Sequence, residues 1–155
     1  YREIAAQDIV FQIIVITGKN QKLYEAFAVE LAKSKRRTKL IYFTDEVEKY
    51  MHAADLLVTK PGGLTVSEAL ACDIPLAVFD AIPGQEEDNA QFLLSHNMAV
   101  RIRAGESCGK TIRIVLADNR RLEDMRSSCE RFDKSKSGEN ILWLIRSLTG
   151  KEKAL

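Results

Sequence analysis

Short apolar runs that alternate with helical patterns are the feature that most restricts the fold of this chain. The runs with strand composition are 11–17, 40–43, 56–58, 76–79 and 99–102. Apolar residues recur at helical spacing in the segments 21–33, 47–54, 65–72, 86–96, 110–117, 120–132 and 140–148. Because strands that alternate with helices form parallel sheets covered on both sides, the sequence predicts an α/β fold. We expect a Rossmann-like parallel sheet with helices on both faces.

The length of the chain sets its domain organisation. Its 155 residues suffice for one domain and are too few for two of typical size. We divide residues 1–155 into a linker remnant at 1–10, a core with functional loops at 11–103, and C-terminal helices at 104–150. The last helix, with Trp143 among its apolar residues, is expected to pack on the core. The chain begins with Tyr1 rather than methionine, so we expect it to be a piece of a longer protein.

Composition excludes several classes of function. The formal net charge of +1 gives no global attraction to nucleic acid. The 3 cysteines are far apart and only 2 histidines are present, which argues against a zinc site and fits a reducing cytosol. No apolar stretch reaches the ~18 residues that a membrane-spanning helix needs.

The loops that follow the predicted strands are the candidate functional segments. In parallel sheets, ligands bind beyond the carboxyl ends of the strands. The loops at these ends are 17–21, 44–46, 59–65 and 80–86, and glycines concentrate there.

The loop Lys60–Thr65 contains a proline and two glycines just before a helical pattern. A helix N-terminus has unpaired N–H groups and a partial positive charge, and glycines let a phosphate approach the main chain. The loop therefore indicates a diphosphate site at the N–H groups of Gly63, Leu64 and Thr65. The alternative is an ordinary turn followed by a capping box formed by Thr65 and Glu68. The loop alone favours neither interpretation.

Two other loops carry polar groups suited to a nucleotide or a sugar. Residues 18–20 offer a close backbone approach and a cation, or else an ordinary turn in which Asn20 caps the next helix. Gln85, Glu86 and Asn89 are of the kind that hydrogen-bonds sugar hydroxyls, although they also suit a capped helix start at the surface.

Residues 104–111 resemble a P-loop with alanine at the first glycine position. The preceding strand is short and contains an arginine, and the segment comes late in the domain. Both features argue against a nucleoside triphosphate site. No G-x-G-x-x-G sequence follows the first strand, so the dinucleotide fingerprint is absent.

Two motifs in a fixed order and spacing resemble a known family. The first is Val58-Thr-Lys-Pro-Gly-Gly-Leu-Thr65 with Glu68-Ala69, and Ile74-Pro75 follows it. The second is Ile82-Pro-Gly-Gln-Glu86 with Asn89-Ala90. Together they resemble the C-terminal half of GT-B glycosyltransferases of family 28. The resemblance extends from about Phe11 to Ile102, and it is greatest to the branch of monogalactosyldiacylglycerol synthases and processive diacylglycerol glucosyltransferases.

The resemblance implies a site for a UDP-sugar donor. The uracil would lie near Phe43 and Thr44, the diphosphate at the helix start after Lys60-Pro61, and the ribose at Glu68. The implied UDP-sugar-binding residues are Gly18, Lys19, Asn20, Phe43, Thr44, Gly62, Gly63, Leu64, Thr65, Glu68, Gln85, Glu86 and Asn89. No cofactor and no metal are expected. No catalytic residue is expected in this chain either, because the resemblance places the base in an N-terminal acceptor domain that this chain lacks.

The family resemblance implies an inverting hexosyltransferase that acts on a diacylglycerol-type lipid. We expect this chain to bind the donor, to be inactive by itself, and to belong to a cytoplasmic enzyme that is peripheral to the membrane. Its lipid acceptor would bind through the missing domain, and no nucleic acid partner is expected. The alternatives are a donor subunit of a two-chain N-acetylglucosaminyltransferase, a P-loop module that uses Lys110, and a flavodoxin-like domain without sugar chemistry.

Overall fold

Strands and helices alternate along the chain, as the sequence predicts. The computed structural model describes residues 1–80, 83–132, 134 and 136–149. Ile82 of the second motif and residues 150–155 lie outside this part. The elements are α1 Arg2–Ala5, β1 Ile13–Ile16, α2 Gln21–Lys33, β2 Thr38–Ile41, α3 Val47–Ala53, β3 Leu57–Thr59, α4 Gly63–Ala71, β4 Leu76–Phe79, α5 Gln85–Ser95, β5 Ala99–Ile102, α6 Cys108–Ala117, α7 Asn119–Arg131 and α8 Ser137–Thr149.

All strand pairs are parallel, but in the described residues they form two sheets rather than the single sheet expected. Strand β1 pairs with β2, with Ile13 opposite Thr38. The other sheet has the order β3-β4-β5, with Leu76 opposite both Leu57 and Ala99. The apolar runs identify the strands correctly. They do not encode which edges hydrogen-bond, and this is why the division into two sheets was not predicted.

The three-stranded sheet has a core on each face. Leu76 and Val78 of β4 point into a cluster formed mainly with residues of α4 and α5. Ala77, between them, points to the opposite face and packs with Ile112 of α6 and Met125 of α7. This alternation follows from the two-residue period of a strand. The β3-β4-β5 sheet is therefore covered on both faces.

The prediction that the last helix packs on the core is wrong. No residue of α8 is buried, and the side chain of Trp143 is 68% exposed. Its other large apolar residues are also exposed, namely Ile141, Leu142, Leu144, Ile145 and Leu148. Helical periodicity shows which residues share a face, but it does not show what that face contacts. No helix in the described part of the chain combines the length and apolarity needed to cross a bilayer.

The first ten residues, predicted to be a linker remnant, include a short helix. Helix α1 lies against α6, and Ile4 packs on the cluster that contains Ile112. Arg36 donates hydrogen bonds to the backbone carbonyls of Ala5, Gln7 and Ile9, which fixes the segment after α1.

Candidate functional site

The glycine loop after β3 leads directly into α4, which begins two residues earlier than the sequence predicts. Gly62 is the N-cap residue, and its carbonyl accepts the hydrogen bond of the Val66 N–H at 2.9 Å. The N–H groups of Gly63, Leu64 and Thr65 therefore precede the first backbone hydrogen bond of the helix. Such groups carry the positive end of the helix dipole.

The start of α4 lacks the side-chain cap that three other helices have. Asn20, Ser107 and Asp118 cap α2, α6 and α7 with a side-chain oxygen that accepts a backbone N–H. Gly62 has no side chain and cannot do this. A polar ligand can accept the hydrogen bonds that a capping residue would otherwise take.

The alternative interpretation of this loop, a capping box formed by Thr65 and Glu68, does not fit the structure. A capping box requires its first residue at the N-cap position, whereas that position is occupied by Gly62. Thr65 is the third residue of α4, and Glu68 lies one turn further along with an exposed side chain. The sequence motif placed the helix start two residues late because glycine at the N-cap is a weaker signal than threonine.

The second motif lies beside the glycine loop. The Asn89 side-chain Nδ2 donates to the backbone carbonyl of Pro61 at 2.9 Å. A Cβ atom added to Gly63 would lie 3.7 Å from Gln85 Nε2. The sequence-predicted residues of the two motifs are thus brought together, at the adjacent N-termini of α4 and α5.

The start of α5 is also formed by a glycine. Gly84 is its N-cap, and its φ of +109° is a conformation that L side chains rarely adopt. The first turn carries Glu86, Glu87 and Asp88, which suits the positive end of the helix dipole. Arg101 Nη2 donates to Glu87 Oε1 at 2.7 Å, and this hydrogen bond lowers the pKa of Glu87. The ion pair attaches the first turn of α5 to β5.

The remaining predicted residues lie at the carboxyl ends of β1 and β2. Gly18 has a φ of +63°, and the Lys19 ammonium lies 4.6 Å from the centroid of the Phe43 ring. That ring is 50% exposed, so an aromatic base could stack on it. Asn20 Oδ1 accepts the Leu23 N–H at 3.0 Å, as the capping interpretation predicts. Thr44 Oγ1 accepts the Glu46 N–H at 3.1 Å, which shapes the turn after β2.

The P-loop-like segment has an internal anion at its helix start. Glu3 Oε2 accepts hydrogen bonds from Ser107 Oγ at 2.8 Å and from the Gly109 N–H at 3.2 Å. These bonds lower the pKa of Glu3, with the Ser107 hydroxyl contributing most. The carboxylate occupies the position at α6 where a phosphate would bind, and the geometry disfavours a nucleoside triphosphate site there. No sequence signal links Glu3 to Ser107, which lies more than a hundred residues away.

Sequence reasoning missed two contacts near the candidate site. Asn89 was predicted to lie near the sugar, and its contact with the Pro61 carbonyl was not predicted. Glu87 was not singled out, although its ion pair with Arg101 holds α5 in place. Both contacts join segments whose proximity depends on the tertiary fold, and a local motif does not contain that information.

Comparison with known proteins identifies the relatives of this arrangement. The model of the glycosyltransferase family 28 C-terminal domain matches residues 1–138. The chain is 29% identical over 156 residues to the processive diacylglycerol beta-glucosyltransferase of Bacillus subtilis (strain 168), covering 98% of this chain and 41% of that protein. It is 29% identical over 131 residues to the protein of the same name from Bacillus licheniformis, covering 84% of this chain and 34% of that protein. The chain thus spans well under half the length of these relatives.

Among solved structures, Acinetobacter baumannii MurG has a similar fold. The superposition has a TM-score of 0.79 at 17% identity and covers 94% of this chain and 44% of that one. The glycotransferase of kitacinnamycin superposes with a TM-score of 0.53 at 16% identity, over 78% of this chain and 40% of that one. These likenesses show the fold, with parallel strands that alternate with helices.

Proposed function

The chain belongs to glycosyltransferase family 28, and from this premise we propose that it binds the UDP-sugar donor of an inverting hexosyltransferase. The acceptor we propose is a diacylglycerol-type lipid. The similarity to two processive diacylglycerol beta-glucosyltransferases supports this acceptor. Residues outside this chain would bind the lipid and supply the base. The full-length enzyme would then act from the cytoplasm as a peripheral protein at the membrane surface.

The start of α4 is the observation that carries the proposal. Three successive N–H groups, from Gly63 to Thr65, precede the first helical hydrogen bond, and the N-cap residue Gly62 has no side chain. A diphosphate supplies the oxygens and the negative charge that such a helix start accepts. The side chains of Gln85 and Asn89 lie against the same loop, where the sugar attached to the diphosphate would be.

The chemistry that we assign to this chain is stabilisation of the leaving group. In the reaction, the bond between the anomeric carbon and the diphosphate oxygen breaks as the acceptor oxygen bonds to the opposite face of that carbon. The acceptor proton passes to a base outside this chain, and the negative charge develops on UDP. Preorganised N–H donors aimed at developing charge lower such a barrier. Glu68 is assigned to the ribose hydroxyls, and Phe43 with Thr44 to the uracil.

The test is a calorimetric titration of this chain with UDP, with ATP and magnesium as the comparison ligand. We expect UDP to bind and ATP to bind much more weakly. Glu68→Ala should weaken UDP binding, whereas Lys110→Ala should leave it unchanged because the α6 start already holds the Glu3 carboxylate. Binding of ATP without UDP would refute the proposal.

A single charge placed at the α4 start tests the site more sharply. Leu64 is 84% exposed, so Leu64→Asp adds a carboxylate beside the N–H groups without removing a packed side chain. Two unit charges about 4 Å apart repel by about 1–4 kcal/mol near a protein surface, so UDP affinity should fall about tenfold or more. An acidic residue in the first turn also stabilises a helix, and the melting temperature should therefore not fall.

The matched control is Leu148→Asp in α8, where the original side chain is 77% exposed. It makes the same chemical change far from the α4 start in sequence, and UDP affinity should stay within about twofold. Equal UDP affinity in Leu64→Asp and the wild type would exclude the α4 start as the diphosphate site.

A further inference from the structure

The contact between Asn89 and Pro61 connects the two motifs of the site. Asn89 is in α5, and its Nδ2 reaches the Pro61 carbonyl oxygen at 2.9 Å across 28 residues of sequence. Pro61 is among the most deeply buried residues of the chain, with less than 2% of its surface exposed. A buried carbonyl requires a hydrogen-bond donor, and Asn89 provides it.

The Pro61 carbonyl is the acceptor that α4 would use if it began one residue earlier. In an α-helix each N–H donates to the carbonyl four residues earlier, so the partner of the Thr65 N–H in a helix one residue longer would be the Pro61 carbonyl. The observed helix begins with the bond from the Val66 N–H to the Gly62 carbonyl. The Gly62 N–H donates a hydrogen bond to the Lys60 carbonyl at 2.9 Å, and this tight turn bends the chain sharply at Pro61. By engaging the Pro61 carbonyl, Asn89 holds this bend and leaves the Thr65 N–H for an external acceptor.

Helix α5, which carries Asn89, is also attached to the sheet. Two residues before Asn89 in α5, Glu87 forms an ion pair with Arg101 of β5, and the Arg101 side chain is only 15% exposed. Helix α5 is thereby attached to the sheet on one side and, through Asn89, to the glycine loop on the other. The spacing between the α4 start and Gln85 then depends on the Asn89 contact.

We propose that Asn89 is a positioning residue, which acts through the Pro61 carbonyl to hold the N–H groups of α4 in place for the donor diphosphate. This inference rests on the proposed donor function. A positioning role differs from a direct contact between Asn89 and the sugar in one measurable respect. A positioning residue affects every ligand that uses the α4 start, including UDP, which has no hexose.

The experiment compares the affinities of UDP and UDP-glucose for the wild type, Asn89→Leu and Asn89→Asp. Leucine is close to asparagine in size, and aspartate has the same shape but lacks the N–H donor. Loss of a hydrogen bond of this kind corresponds to about a fivefold to tenfold change. We expect Asn89→Leu to weaken UDP and UDP-glucose by the same factor, about five- to tenfold. Asn89→Asp should weaken both at least as much. Loss of UDP-glucose affinity with unchanged UDP affinity would overturn the proposal in favour of a direct sugar contact.

Gln91→Leu is the matched control. Gln91 is an exposed amide on the same helix, and its Nε2 donates to Glu87 Oε1 at 2.7 Å. The substitution changes an amide to leucine in α5 but leaves the contact with Pro61 intact, so both affinities should stay within about twofold. A loss equal to that of Asn89→Leu would assign the effect to general weakening of α5 and overturn the proposal.

Amide hydrogen exchange of the unliganded protein provides a readout that needs no ligand. In Asn89→Leu, exchange should accelerate at Val66, whose N–H closes the first turn of α4, and remain unchanged at Ile112 in α6. Unchanged exchange at Val66 would overturn the positioning role. If the wild type does not bind UDP, both the proposed donor function and the positioning role of Asn89 are refuted. Normal UDP binding by both the wild type and Asn89→Leu would refute the positioning role alone.

Discussion

Gly109 is the position at which a single added methyl group should reveal how closely α1 approaches α6. A Cβ atom there would lie 2.5 Å from Gln7 Nε2, 2.7 Å from the Glu3 carbonyl carbon and closer still to the Glu3 carbonyl oxygen. The Gln7 side chain can move away, but the Glu3 carbonyl is backbone and cannot move without α1. Gly109→Ala therefore forces α1 to shift or to leave α6.

The size of the effect follows from two opposing contributions. Insertion of a methyl group into closely packed structure costs about 1–3 kcal/mol, and replacement of glycine by alanine in a helix returns up to about 1 kcal/mol. We expect Gly109→Ala to lower the free energy of unfolding by about 1–2 kcal/mol. For a domain of this size, that change lowers the melting temperature by about 2–8 °C.

Urea unfolding followed by circular dichroism measures the difference. The control is Gly138→Ala in α8, where nothing lies within 4 Å of the added Cβ, and its stability should be unchanged or slightly higher. Removal of residues 1–8 should abolish the cost of Gly109→Ala, because the obstructing atoms are then gone. If Gly109→Ala is as stable as Gly138→Ala in the full chain, the close approach of α1 to α6 is refuted.

Further expectations concern thiols, pH and backbone conformation. A water-soluble disulfide reagent should label the half-buried Cys108 in the native protein, but Cys129 only after unfolding, because Cys129 is 0% exposed. Burial raises the pKa of the Cys129 thiol from 9.0 to about 11, so its stabilising contribution is complete below pH 9 and is lost as the pH rises through 11. Urea unfolding over this range should show a flatter pH dependence in Cys129→Ala. The pKa of Glu87 lies below 4.5 because Arg101 donates a hydrogen bond to it. The contribution of Glu87 to the free energy of unfolding is thus present above pH 4.5 and is lost as the pH falls through its pKa in the folded protein. Unfolding of Glu87→Gln at acid pH should therefore depend less on pH. Gly18→Ala should cost about 1–2 kcal/mol in the same assay, since the φ of Gly18 is +63°.

The sequence predicts the elements of the fold well where hydrophobic period and length agree. The bounds of α2, β4 and β5 are those expected, because a polar residue follows each pattern directly. The start of α4 was displaced because a helix can begin at a glycine that carries no capping group. The exposure of α8 was not predicted, because the sequence pattern of an apolar helix is the same whether or not another element covers its apolar face.

In the candidate site, too, the sequence predicts the local motifs but not the contacts between them. The glycine loop and the Pro-Gly-Gln-Glu motif are local, and the sequence locates both. Their proximity, shown by the contact between Asn89 and Pro61, depends on how α4 and α5 pack. The carboxylate of Glu3 at the α6 start depends on a contact between the two ends of the chain, and no local pattern encodes it.

The distribution of buried side chains has a consequence for how the donor would be held. Every buried apolar side chain in the described residues lies between Met51 and Cys129, so the sheet of β1 and β2 has few packed neighbours and should open at low free-energy cost. In the proposed arrangement, the diphosphate binds at the well-buried β3-β4-β5 sheet, and the uracil binds near Phe43 at the less buried sheet of β1 and β2. If the sheet of β1 and β2 opens readily, donor binding has to suppress that opening, and the cost is entropic. We therefore expect UDP to bind with a favourable enthalpy that an unfavourable entropy partly offsets, and uridine without its phosphates to bind very weakly.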